Sequence, residues 1–164
     1  MTRGEISTSG RLVVSFLMRP VLKYWLPVLL WMILIFVGST DLMSAEHTSR
    51  FLVPFLRWLV PDISDAAIAT IQLFIRKCAH LAEYAILAAF LLRALRKSQE
   101  RLARAAASAF ILAVIYATFD ELHQAFVPSR TASPYDVAID TAGALSGLVV
   151  YWFMTRQVRQ RSKI

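Results

Sequence analysis

The sequence predicts an all-α integral membrane protein. Its fold class is a four-helix bundle with N and C termini cytoplasmic and a short amphipathic segment between spans 1 and 2. Three observations lead there. Hydrophobic residues make up 57% of the 164-residue chain and mean hydropathy is +0.54, too apolar for a soluble domain of this length. The apolar residues fall in long runs, while the lysines and arginines behind the net charge of +7 gather at the chain ends and in one short link. That distribution suits membrane orientation and argues against nucleic acid as a partner. Finally, residues 119–147, FDELHQAFVPSRTASPYDVAIDTAGALSG, set several acids between two apolar runs, 105–117 and 137–154.

Residues 1–164 read as a single membrane domain with spans at approximately 22–40, 68–95, 103–122 and 135–155. Span 1 follows Arg3, Arg11, Arg19 and Lys23 and nearly reaches the ~20 residues a hydrocarbon core requires. Bulky Trp25 and Trp31 favour a retained signal anchor over a cleaved signal peptide, for which Gly38–Ser39 or Ser44–Ala45 would offer cleavage sites. Pro27 stands near its expected start. Beyond it, Phe51, Leu52, Phe55, Leu56, Leu59 and Val60 recur at helical spacing with Arg50 and Arg57 off that face. This is either an amphipathic helix on the membrane surface or a loop packed on the bundle, and the sequence does not decide whether residues 49–60 act as a lid. Pro54 either starts the helix or bends it.

Ser64 can cap span 2, which stays free of Gly and Pro over 66–95. Arg76, His80 and Glu83 follow at i, i+4 and i+7, with Tyr84 adjoining, so a polar stripe turns inward near one end. Lone Cys78 forms no internal disulfide and is expected to be a small packing residue. Arg93, Arg96, Lys97, Arg101 and Arg104 crowd the link to span 3, which the positive-inside rule assigns to the cytoplasm. Span 3 aligns Ala113, Ala117, Asp120 and Gln124. Pro128, Ser129, Arg130, Thr131, Ser133 and Pro134 form the outer turn. If span 4 begins near Pro134, then Asp136, Asp140, Gly143 and Gly147 share one narrow stripe. Its small-xxx-small pair should face another helix.

With both termini inside, His80, Glu83, Asp120, Glu121, Gln124, Arg130, Asp136 and Asp140 converge at one depth on the non-cytoplasmic side. Ionisable groups in a membrane cost about 2.5–3.5 kcal/mol each at the helix centre, which makes such a cluster a candidate site. Two readings stand side by side. In one, Arg76, Lys77 and Arg130 pair with Glu83, Asp120, Glu121, Asp136 and Asp140 to lock helices together. In the other, they line an outward-facing pocket. There His80, Glu83, Asp120 and Glu121 are the candidate catalytic groups, and Arg76, Lys77, Tyr84, Gln124, Arg130, Asp136 and Asp140 bind substrate.

Within that pocket Arg130, supported by Arg76 or Lys77, would hold phosphate. His80 would exchange protons. Asp120 and Glu121 would orient His80, activate a hydroxyl or hold a divalent cation. As interhelical glue, His80 would instead have its tautomer set by Glu83 or Tyr84. His123 is expected in the exposed loop. No cofactor is required, and no His-x-x-x-His or paired-Cys spacing marks a metal site.

On RKCAHLAEYAIL in span 2 and DELHQAFVPSRTASPYDVAIDTAGALSG in spans 3 and 4, about half the chain, the sequence resembles the VanZ-like family of small bacterial membrane proteins. Ser129 stands where the family pattern usually has Gly, and Asp140 at a position taken by Asn or Asp. The resemblance implies the bacterial cytoplasmic membrane and a cell-envelope role linked to teicoplanin resistance. It implies no reaction. A lipid-linked envelope precursor is the expected ligand, and the bilayer the expected partner. The alternative is a non-catalytic transport, antibiotic-protection or escort protein. Its polar cluster would be glue or a proton or cation site, and transport by four spans would call for an oligomer.

Overall fold

In the computed structural model the structure describes residues 3–41, 45–99, 101–128, 130 and 132–161, with the side chains of 3–20, 45–47 and 158–161 excepted. Five helices follow in order: α1 Arg3–Ser39, α2 Ala45–Leu59, α3 Asp65–Leu95, α4 Leu102–Gln124 and α5 Pro134–Arg161. Four are long and apolar enough to cross a membrane, over Val21–Ser39, Asp65–Leu95, Leu102–Gln124 and Pro134–Gln157. Among the described residues there is no strand. The lipid-facing character shows in side chains such as Leu30, Ile33, Ile111, Val150 and Phe153, all large, apolar and exposed. Ser129, Thr131, Ser44 and Lys163 lie outside the described residues.

The first helix is longer than the sequence suggested, because helical geometry continues from the basic segment into the apolar run. Pro27 therefore sits inside α1 rather than near its start. It removes one rung of the backbone ladder without ending the helix. Likewise α2 runs through Pro54, which is exposed and neither starts nor ends the helix. Helix α2 lies against α3, where Gln72 Nε2 donates to Ser49 Oγ at 2.7 Å and Arg57 Nη2 pairs with Asp65 at 2.8 Å. Its Phe51 and Trp58 are 82% and 76% exposed, as an interfacial helix presenting an apolar face would be.

Helix α3 is the hub. It begins where Ser64 accepts a hydrogen bond from the Ala67 amide at 3.2 Å, an N-cap that satisfies one orphan donor. It touches α1, α2, α4 and α5, and 39% of its most apolar window is buried, against 11–22% for the other spans. The reason lies in small residues turned toward it or along it. Against α5, Gly143 and Gly147 are buried, and a methyl group at Gly147 would stand 2.7 Å from Ala85 Cα. Only glycine allows that approach. On α4, Ala105, Ala109, Ala113 and Ala117 recur every four residues and are fully buried. Residues 76–95 of α3 advance about 30 Å at 1.5 Å per residue, the thickness of a hydrocarbon core.

At the opposite end of the bundle the Tyr24 ring lies 5.0–5.7 Å from the charged groups of Lys23, Arg93 and Lys97. Arg156 stacks 3.9 Å above Trp152. Such amphipathic rings beside cations suit a headgroup boundary.

Candidate functional site

The four spans meet in a layer of polar side chains at the end where α1 and α4 finish and α5 begins. Ser39 Oγ, on the last residue of α1, donates to Asp120 Oδ1 at 2.5 Å. Gln124 Nε2 donates at 3.2 Å both to Asp120 Oδ2 and to Ser39 Oγ. The Gln124 side-chain oxygen Oε1 accepts from Arg76 Nη2 at 3.1 Å, so one chain of bonds ties α1, α4 and α3. On the other side of α3, Asp140 Oδ1 stands 3.1 Å from His80 Nδ1 and Asp136 Oδ1 pairs with Lys77 Nζ. Both aspartates are 1% exposed. The periodicity of α5 causes this, since positions 136, 140, 143 and 147 point one way and the glycines draw the acids against α3.

The loop before α5 is secured to the same layer. Glu121 accepts the Ser133 backbone N–H. Arg130 donates through Nε and Nη2 to the Thr40 carbonyl at 3.2 and 3.1 Å, and through Nη2 to the Gly38 carbonyl as well. A guanidinium at the C-terminus of α1 meets the negative end of that helix and its orphan carbonyls. Burial, then the neighbouring Arg76, pushes the Arg130 pKa below its ordinary value. Tyr84 Oη, Asp140 Oδ2 and Glu121 Oε2 are buried with no hydrogen-bond partner among the described residues. Such atoms call for a proton, a water or a ligand.

Beside this layer is a cavity of about 370 Å³ between α1, α2, α3 and the end of α4. Its lining joins polar Arg76, His80, Glu83, Gln124 and Arg130 with apolar Leu52, Leu73, Ile75 and Ala79. Leu73 and Ile75 are also exposed on the outer surface of α3, so the apolar lining continues to the side that lipid would touch. Thr48 and Leu52 bring α2 to the cavity edge. His80 is shared between the two regions, with one nitrogen on Asp140 and its ring on the cavity wall. If Nδ1 carries the proton toward Asp140, Nε2 offers a lone pair for acid–base work.

A family model described as VanZ/LLP1 matches residues 24–155, from the aromatic start of the first span to the last turns of α5. The chain belongs to the VanZ/LLP1 family. The VanZ/LLP1 match takes in every residue of the polar layer and the cavity, α2 included. No curated protein and no solved structure matches the chain.

Several expectations change inside this VanZ/LLP1 fold. The eleven candidate residues do meet at one end, but they divide. Arg76, His80, Glu83, Gln124 and Arg130 face the cavity, whereas Lys77, Tyr84, Asp120, Glu121, Asp136 and Asp140 do not line it. Asp140 orients His80. Neither Asp120 nor Glu121 hydrogen-bonds to it, nor does Glu83 or Tyr84 set its tautomer. Helix rotation explains this, because the α4 acids point to α1 and to the loop. Lys77 is taken up by Asp136 and is not available beside Arg130.

His123 is not in an exposed loop. It belongs to α4 and is half-buried, its ring 4.6 Å from that of Phe36. Cys78 is exposed rather than packed, since it lies on the outer face of α3. No group of three His, Cys, Asp or Glu side chains among the described residues is spaced to hold a metal ion. Ser39 and the carbonyls of Gly38 and Thr40 were missed. A hydroxyl closing an apolar run at this depth was the available signal, and it was weighed only as part of a cleavage site.

Proposed function

We propose that this VanZ/LLP1 protein binds the polar head of an envelope lipid or lipid-linked glycan in the cavity beside α3. The observation that carries the proposal is the cavity's mixed lining, in which Arg76, His80, Glu83 and Arg130 stand with Leu52, Leu73 and Ile75. A soluble metabolite has no use for an apolar lining that runs out to the lipid-facing surface. A lipid has use for both, with its head on the charges and its first methylenes on the leucines. Arg130, oriented by the Gly38 carbonyl of α1 and the Thr40 carbonyl just beyond it, is the phosphate-binding group, and its Nη1 takes no part in those bonds.

The asymmetry of lysine and arginine supports cytoplasmic termini and a cavity on the non-cytoplasmic side. Family membership supports a role at the bacterial cytoplasmic membrane, with glycopeptide resistance of the teicoplanin type as the phenotype to examine. Binding is the primary function. His80, held by Asp140, supplies an acid–base group should the head group also be modified. The polar layer behind the cavity also favours the glue reading for Asp120 and Asp136, whose bonds run from helix to helix or across the same seam.

Ala79→Trp tests the proposal by filling the cavity from an exposed rim position. Stability should change by less than about 0.5 kcal/mol. Lipid retained through purification, read by mass spectrometry of the extracted lipids, should fall to the level of a non-binding membrane protein. Unchanged retention in a normally folded variant would sink the proposal. Incubating wild type with labelled envelope lipids separates catalyst from binder by whether a new product forms.

A further inference from the structure

Glu83 stands apart from the other acids of the site. It is half-buried and lines the cavity, yet among the described residues no hydrogen bond or ion pair engages its carboxylate, while its backbone carbonyl accepts from Trp31 Nε1 at 2.9 Å. Asp120, Glu121, Asp136 and Asp140 each have a protein partner. Gly38 links the two ends of the polar lining. Glu83 Oε1 would be 3.9 Å from a methyl group placed on Gly38, and Arg130 Nη2 donates to the Gly38 carbonyl. A carboxylate without a donor and a guanidinium fixed by backbone carbonyls thus border the same small space. A partly buried carboxylate in that position is stabilised by a cationic or hydrogen-donating partner.

Resting on the binding reading above, we infer that the cavity selects a zwitterionic phospholipid head, with phosphate against Arg130 and a primary ammonium against Glu83. Phosphoethanolamine has this composition, with the two charges joined by a two-carbon link. Its ammonium offers three N–H donors to a carboxylate that has none. Phosphoglycerol offers Glu83 only neutral hydroxyls, and charge-assisted bonds are about twice as strong as neutral ones. Phosphocholine carries the charge without an N–H. The apolar lining of Leu52, Leu73 and Ile75 accounts for the acyl-linked part, so the lipid is preferred over the free head group.

The test is competition among phosphatidylethanolamine, phosphatidylglycerol and phosphatidylcholine of identical acyl chains on the full-length protein, read by native mass spectrometry. Wild type should take the ethanolamine lipid about tenfold in preference to the other two. Glu83→Gln should bring that ratio close to one. Equal uptake of all three lipids by wild type overturns the inference and leaves the binding reading standing. A wild type that retains no lipid overturns both. An ethanolamine preference unchanged in Glu83→Gln overturns the assignment of Glu83. Soluble phosphoethanolamine that displaces the lipid at equal concentration overturns the lipid as occupant. The wild-type comparison needs no variant, so a poorly folded Glu83→Gln would still leave the selectivity decided.

Discussion

At the depth of His80, helix α3 has two unlike sides. Toward α5 it is closed by Gly143 and Gly147, which bring backbone onto the backbone of Leu81 and Ala85. Toward α1 and α2 it stands off, and a cavity occupies the gap. Along its length α1 is also held by side-chain bonds, Trp31 to the Glu83 carbonyl at 2.9 Å and Tyr116 of α4 to the Met32 carbonyl at 2.7 Å. Both sides lie in the same membrane and both carry ionisable groups. The difference is what those groups face. Against the glycine seam an acid finds a basic partner at close range and becomes structural, while across the cavity Glu83 finds space.

The most direct way to break this contrast is to open the seam. In Gly147→Ala the added methyl would meet Ala85 backbone, which cannot rotate aside. Overpacking of this kind costs about 3 kcal/mol or more. The expected outcome is a large loss of stability in detergent, followed by thermal or denaturant unfolding. Near-wild-type melting would show that the seam tolerates separation and that the two sides of α3 are not different in kind.

A smaller effect sharpens the comparison by removing charge instead of space. Asp136→Ala leaves Lys77 without its partner. The expected loss is about 2 kcal/mol, below the ~3–5 typical of fully buried pairs, because the Lys77 side chain is 30% exposed and can reach toward the boundary. Combining it with Lys77→Ala should cost less than the two single losses together. Additive losses would mean that the pair contributes nothing to the seam. The smallest change is expected on the open side, where Tyr116→Phe deletes one hydrogen bond to α1 and should cost about 1 kcal/mol in the same unfolding measurement. A loss matching that of Gly147→Ala would show α1 to be as tightly joined as α5.

Much of this was legible before any coordinates. The stripe of Asp136, Asp140, Gly143 and Gly147 follows from helical spacing alone, and the structure buries all four. The same holds for Ala113, Ala117, Asp120 and Gln124 on α4, and for Ser64 as the cap of α3. These are properties of single helices, where residues three or four apart must share a face. The partner of each polar group was not legible. Asp140 rather than Asp120 meets His80, Arg130 meets carbonyls rather than acids, and Ser39 enters from a span that carries no ionisable group of its own near that end. Such pairings depend on how far each helix is rotated and slid along its neighbours.

By itself, then, the sequence determined that four helices cross a membrane and that their polar faces gather at one end. Hydrophobicity and periodicity are local, and lipid leaves a charged residue few places to go. Only the tertiary structure decided that the gathering divides into a sealed layer and a cavity. That division depends on interhelical distance. Two glycines on α5 let one pair of backbones touch, while on the side of α1 and α2 a cavity remains.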